Sequence, residues 1–177
     1  MSILRRARPR SRRCALHLTY DNDEFSVWLP PPDDPLLIAG FGEAASLALE
    51  LTDWPATNEI LVLLDERRQV TAMLVDPPPA VGLLIGEIDI PALEVPFCQT
   101  LSIVVTEPPS DGPPPARHRD GYFALRRFHM LQGLQLLDVI LAHPERVQSL
   151  AIACDPDPIW FEDFDPDALD STDEPAA

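Results

Sequence analysis

The stretch LSIVVTEPPSDGPPPARHRD, residues 101–120, holds the side chains best spaced for chemistry. An apolar strand runs into a proline-rich loop, and Asp120 then stands at the head of a helix. That order is a common way to build a site, because the strand end fixes the loop and the helix presents a carboxylate. The loop, however, supplies Thr106, Glu107, Pro108 and Pro109 where hydrolytic or metal chemistry asks for His or Cys. Asp120 also suits a purely structural role, since an Asp N-cap accepts the unpaired amide hydrogens of a first helical turn. His118 and His129 stand eleven residues apart, about 16 Å along a continuous helix axis, too far to share a metal. His17, His118, His129 and His143 show no H-x-x-x-H spacing, and nothing local activates a Cys98–His129 pair. In VILAHPERVQ, His143 reads as a turn residue with Pro144 and Glu145, and Leu141 stands where a second His would be needed. There is no phosphate loop, dinucleotide loop or nucleophile elbow, and no Lys to serve as a phosphate or Schiff-base amine. Nucleotide chemistry is set aside on those grounds.

Composition narrows the field further. A chain of 177 residues that is 46% hydrophobic fits one domain of about 140 residues with flexible ends. The 21 Pro and 7 Gly make for stiff loops. Residues 1–13 carry Arg5, Arg6, Arg8, Arg10, Arg12 and Arg13 with no acid, a charge of +6; the rest carries −22, giving −16 for the whole chain. This predicts a disordered Arg-rich arm over residues 1–13, able to make at most weak, non-specific contacts with nucleic acid, on a body that repels it. No apolar run is long enough to span a membrane, and the segment after Arg12–Arg13 lacks the apolar stretch of a secretion signal, so a cytoplasmic location is expected. Cys14, Cys98 and Cys154 are odd in number and widely spaced; they read as reduced, mostly buried small hydrophobes, without a disulfide framework or a zinc knuckle.

The elements that must position the loop follow from periodicity. ALHLTY and FSVWL flank DNDE as a β-hairpin, and FGEAASLALELTDW is a helix ended by Pro55. ILVLL, the turn DERR and the return strand form a second hairpin, with ILVLL apolar enough to be covered on both faces. A strand is expected at 83–90, then a short helix or irregular link. TLSIVV is the next buried strand, followed by the loop and a helix over 120–133. Along that helix Tyr122 or Phe123, Leu125, Phe128, Leu131 and Leu134 are placed to face the core, and Arg126 and Arg127 to stay in water. Gly133 is the expected left-handed cap. LQLLDVILA and VQSLAIA close the domain as a hairpin around HPER. The domain is assigned to 14–154, and 155–177, with nine acids and no base, reads as an acidic disordered tail whose Trp160, Phe161 and Phe164 are either exposed anchors for a partner or pack back onto the domain's own open face.

The order of these pieces resembles the RadC-like branch of the JAB/MPN metalloprotease family. Its strand ends in H-x-H-P-S-G, followed by S-x-x-D, a helix, an L-L-D strand and an S-L turn. The counterparts here are VVTEPPSDG, RHRD, the helix over 120–133, LLDVILA at 136–142 and VQSLA at 147–151, with ILVLLDERRQVTAML upstream resembling the family's opening hairpin. Residues 57–153 are covered. The resemblance implies one α/β domain, a mixed β-sheet with flanking helices, related to the three-layer deaminase-like arrangement.

In that family two His and an Asp hold zinc, and a Glu on an early strand activates its water. The resemblance places those roles at Thr106, Pro108, Asp120 and Glu59, with the motif Ser at Arg117. Proline cannot bind metal, a neutral Thr is a poor zinc ligand, and one surviving carboxylate cannot hold Zn²⁺ against water. The expectation is therefore a non-catalytic RadC/JAB-like domain with no cofactor, acting as a binding or scaffold module for an unknown protein partner. Two alternatives stand beside it: a metal-dependent hydrolase whose site has migrated to Glu107, His118 and Asp120, and a nucleic-acid-associated protein binding through the Arg arm.

Overall fold

Short apolar runs separated by turn residues build a seven-stranded mixed sheet in the computed structural model, which describes residues 15–31, 34–54, 57–90, 93, 96–106, 112–161 and 164. The opening hairpin is formed by β1 (Ala15–Tyr20) and β2 (Asp23–Trp28), paired antiparallel. Its turn is Asp21 and Asn22, at φ 51° and 72°, the left-handed conformation that short polar side chains tolerate and that matches strand twist. The second hairpin is β3 (Glu59–Leu64) with β4 (Val70–Val75), and β4 also pairs with β2. Next, β5 (Gln99–Val105) runs antiparallel to β3, β6 (Gln135–His143) runs parallel to β5, and β7 (Arg146–Ser149) returns antiparallel along β6. The order across the sheet is β1-β2-β4-β3-β5-β6-β7.

The centre of the sheet explains the apolar run in β3. Ile60, Val62 and Leu64 join a cluster with Ala44, Leu47, Ala48 and Leu51 of α1 (Phe41–Leu51). Leu61 and Leu63, on the alternate face, join a second cluster with Val27, Leu74, Val81 and Ile85. A strand covered on both faces reads as a near-continuous apolar run. The parallel pair β5/β6 requires a crossover, supplied by α3 (Ala116–Leu131). Among the described residues the result is a single α/β domain with a seven-strand open sheet and four helices, none long and apolar enough to cross a membrane.

Several expectations are corrected. Residues 83–90 are not a strand: a short helix, α2 (Pro79–Leu83), ends there and turns follow. The helix expected from Asp120 begins four residues earlier, with Pro115 as N-cap, and Asp120 lies inside it. Pro has no N–H to lose at a helix start and a φ that already suits entry, so the proline run leads directly into the helix. Of the residues placed toward the core, Tyr122 is buried and Leu125 half-buried, but Phe123, Phe128 and Leu131 are exposed. The closing strand VQSLAIA splits, with β7 ending at Ser149 and α4 (Leu150–Cys154) following; the Ser149 hydroxyl accepts from the Ile152 amide at 2.9 Å and caps α4.

The domain also runs past the expected boundary at Cys154. A single 3-10 turn at Ile159–Phe161 brings Trp160 into the core, 9% exposed. Cys98 and Cys154 are free and half-buried rather than fully buried. Gly133, at φ 74°, does close α3: its amide donates to Met130 and that of Leu134 to His129, the paired bonds of a Schellman cap.

Candidate functional site

Thr106 sits where the C-terminal ends of the parallel strands meet. Its amide donates to the Ala142 carbonyl at 2.9 Å, and the Val105 amide donates to Asn58 at 2.8 Å. The loop that follows therefore starts between the end of β6 and the beginning of β3, where Glu59 stands. In open sheets with parallel strands, sites form at such strand ends. Glu107 and Pro108 lie outside the described residues.

Glu59 is half-buried and accepts a hydrogen bond from the Ser102 hydroxyl at 3.1 Å. The Asp76 carboxylate takes the amides of Asn58 and Glu59 at 2.8 and 2.9 Å. Burial raises the Glu59 pKa, the Ser102 hydrogen bond opposes the rise, and the Asp76 charge adds to it. A carboxyl group held so is poised to carry a proton, and its neighbours are a hydroxyl and another carboxylate.

Asp120 and His118 do not converge with it. Asp120 is exposed on α3, lining a hollow of about 360 Å³ with Pro113, Pro114, Arg119, Phe123 and Cys154. His118 is half-buried, its pKa lowered by burial and by the neighbouring Arg117 guanidinium. Two residues apart on a helix, they leave the axis about 200° apart and cannot close on one ion. Among the described residues no group of three His, Cys, Asp or Glu is placed to hold a metal. The Cys98–His129 pair is not assembled as a nucleophile. Burial and the charges of Asp65 and Glu66 push the Cys98 thiol up, and both described partners of His129 lie elsewhere. His143 ends β6 and takes the Glu145 amide at 3.2 Å, the turn role expected of it.

Of the aromatic residues of the acidic segment, Trp160 takes the second of the two expected courses and packs into the core. Its indole N–H donates to Asp138 at 2.8 Å, so the ring has both a buried acceptor and a packed seat. Phe164 is half-buried, with the Arg68 guanidinium 4.0 Å above its ring. The side chain of Phe161 lies outside the described residues.

Three buried polar side chains organise the core around this region, a structural role that the sequence does not announce for any of them. Asp138, fully buried, accepts from Ser149 Oγ at 2.5 Å and from the Ala151 amide and Trp160 Nε1 at 2.8 Å, so one carboxyl group ties β6, β7, α4 and the 3-10 turn together. Burial raises its pKa, and these hydrogen bonds pull the other way. His129 bridges the Gly82 carbonyl and Thr100 Oγ1, each at 2.8 Å. The ring nitrogen facing the carbonyl must donate, so neutral His129 accepts at Nδ1 from Thr100. Burial lowers its pKa, against the Gly82 carbonyl, which raises it. Arg68, 3% exposed, donates to the Ala39 carbonyl at 2.9 Å and faces the Trp160 ring at 5.9 Å. The only signals in the sequence were an Asp inside an apolar strand, a His in a helix and an Arg at the end of a turn. Each of those has an ordinary exposed reading.

Compared with protein families, curated proteins and solved structures, the chain matches none.

Proposed function

We propose that the chain is a non-catalytic domain of the RadC-like JAB/MPN type, acting as a binding or scaffold module for another protein. The observation that carries this reading is the residue set at the end of β5. Thr106 and Pro108 stand at the positions of the two zinc-binding His, and neither side chain can replace imidazole. The architecture supports the assignment: a strand, a loop, a crossover helix, a parallel strand bearing the buried Asp138, and a short return strand follow one another as in that family. Glu59, at the head of β3, fits the position of the catalytic Glu and retains a raised pKa. Without metal ligands, however, it has no activated water to deprotonate. The migrated hydrolase site is disfavoured, because His118 and Asp120 diverge on α3.

The test is hydrolysis of peptide and isopeptide bonds by the full chain with added zinc. No turnover above the metal alone is expected. Zinc-dependent cleavage that Glu59→Gln abolishes would reinstate an enzyme.

A further inference from the structure

A helix that covers a sheet normally turns a polar face to water. α3 does not. Phe123, Phe128, Met130 and Leu131 are 47%, 43%, 65% and 71% exposed. Tyr122, Leu125 and His129 point inward, and Phe123, Met130 and Leu131 follow at the seven- and eight-residue spacing that aligns side chains on one outer face. The same helix carries Arg117, Arg119, Arg126 and Arg127, all exposed, against Asp120 as its one acid. Four of the seven Arg that follow residue 13 are thus gathered on one helix of a body whose charge is −22.

The chain itself displays the chemistry this helix favours. Asp155, the first residue of the acidic segment, forms an ion pair with Arg126 and accepts from the Tyr122 hydroxyl at 3.5 Å. Beside that contact lies a hollow of about 420 Å³, lined by Arg126, Met130, Gly133, Gln135 and Asp157 among others.

We propose that the outer face of α3 docks an acidic segment of a partner protein that carries apolar anchors. Phe123, Met130 and Leu131 supply the apolar contact and Arg117, Arg119 and Arg127 the charge complementarity. This names the partner class for the module and rests on that reading. Beyond residues 1–13, the acidic remainder of the body repels such a partner, so charge favours landing on α3. A second copy of the chain would set Arg against Arg across the same face. A phosphate backbone would satisfy the Arg but leave the large apolar side chains in water.

The experiment is fluorescence anisotropy with the full chain and a peptide of about 20 residues, bearing Leu and Phe at helical spacing and Glu elsewhere. A matched peptide replaces Glu by Lys. Saturable, salt-weakened binding of the acidic peptide is expected, reduced at least about tenfold by Met130→Ser/Leu131→Ser and by Arg127→Glu. Leu49→Ser, an exposed apolar position on α1, should leave it unchanged, and circular dichroism checks that each variant is folded. Equal affinity for the Lys peptide, indifference to the α3 variants, or no binding at all overturns the proposal. So does a dimer in sedimentation that Met130→Ser/Leu131→Ser dissolves, or capture by anionic vesicles in place of the peptide. Zinc-dependent hydrolysis is measured on the same samples. Hydrolysis with docking intact removes only the non-catalytic reading, and lost docking without hydrolysis removes only this surface.

Discussion

Glu59 shows how burial shifts the titration of a single side chain. Its carboxyl group is half-buried among Ser102, Asp76 and the end of β5, and burial raises its pKa. A carboxyl whose folded pKa is raised binds its proton more tightly in the folded chain. Its contribution to stability is therefore complete below the unfolded value, about 4.3, and is lost as pH rises through the raised folded value. Glu59→Gln keeps an oxygen to accept from Ser102 and removes the titration. The variant should melt at or above the wild type near pH 7, with the gap shrinking as pH falls to about 4. Taking the difference between the two proteins cancels the other titrating groups, Asp138 included. A variant that is less stable at neutral pH, by an amount that fades on acidification, would mean that Glu59 is held ionised by a cation.

At the scale of elements, the end of α3 holds the segment that follows α2. The Gln132 side chain donates to the Leu83 carbonyl at 2.6 Å and accepts from the Gly86 amide at 2.8 Å, while His129 Nε2 donates to the Gly82 carbonyl. These side chains do for residues 82–86 what a strand ladder would have done, and so a segment expected as a strand is stable as turns. The approach is close: a Cβ on Gly86 would lie 2.9 Å from Gln132 Cβ, whereas one on Gly82 would meet nothing within 4 Å. Gly86→Ala should cost about 1–3 kcal/mol by overpacking, and Gly82→Ala, inside a helix, should be neutral or stabilising by up to about 1 kcal/mol. Urea midpoints measure both, and equal effects would contradict the Gln132 tie. The sequence showed the first two hairpins, α1, β5 and β6 clearly, because each is decided by local period and by turn residues such as Asp21–Asn22. It could not show residues 82–90, whose backbone is satisfied by side chains about 46 positions away. It also misplaced the start of α3, because Asp120 is a better cap than Pro115 when local preference alone is weighed.

For the whole molecule, the segment after Cys154 decides where the packed core ends. A segment rich in acid and proline reads as a tail, yet its Trp160 finds Asp138, and Phe41 and Arg68 pack around the ring. Composition reports the average of a segment, whereas docking depended on one indole and on one buried carboxyl in β6. Truncation after Cys154 should therefore lower the melting temperature by about ten degrees, from the loss of a buried Trp worth about 3–5 kcal/mol. With Trp28 and Trp54 replaced by Phe, Trp160 emission should be blue-shifted in the intact chain. An unchanged melting temperature would return residues 155–164 to the role of a free partner motif. At the candidate site, the chemistry of Thr106 and Pro108 against a pair of His rests on side-chain type alone, which needs no coordinates. What the sequence could not give was the divergence of His118 and Asp120, which follows from both lying within α3.

The central claim, a metal site emptied of its ligands, is tested most directly by titrating zinc into the full, metal-stripped chain by calorimetry, with elemental analysis of the dialysed product. The account predicts no saturable site at micromolar zinc and no shift in melting temperature with chelator. About one zinc per chain, bound tightly and lost in Asp120→Asn, would contradict it.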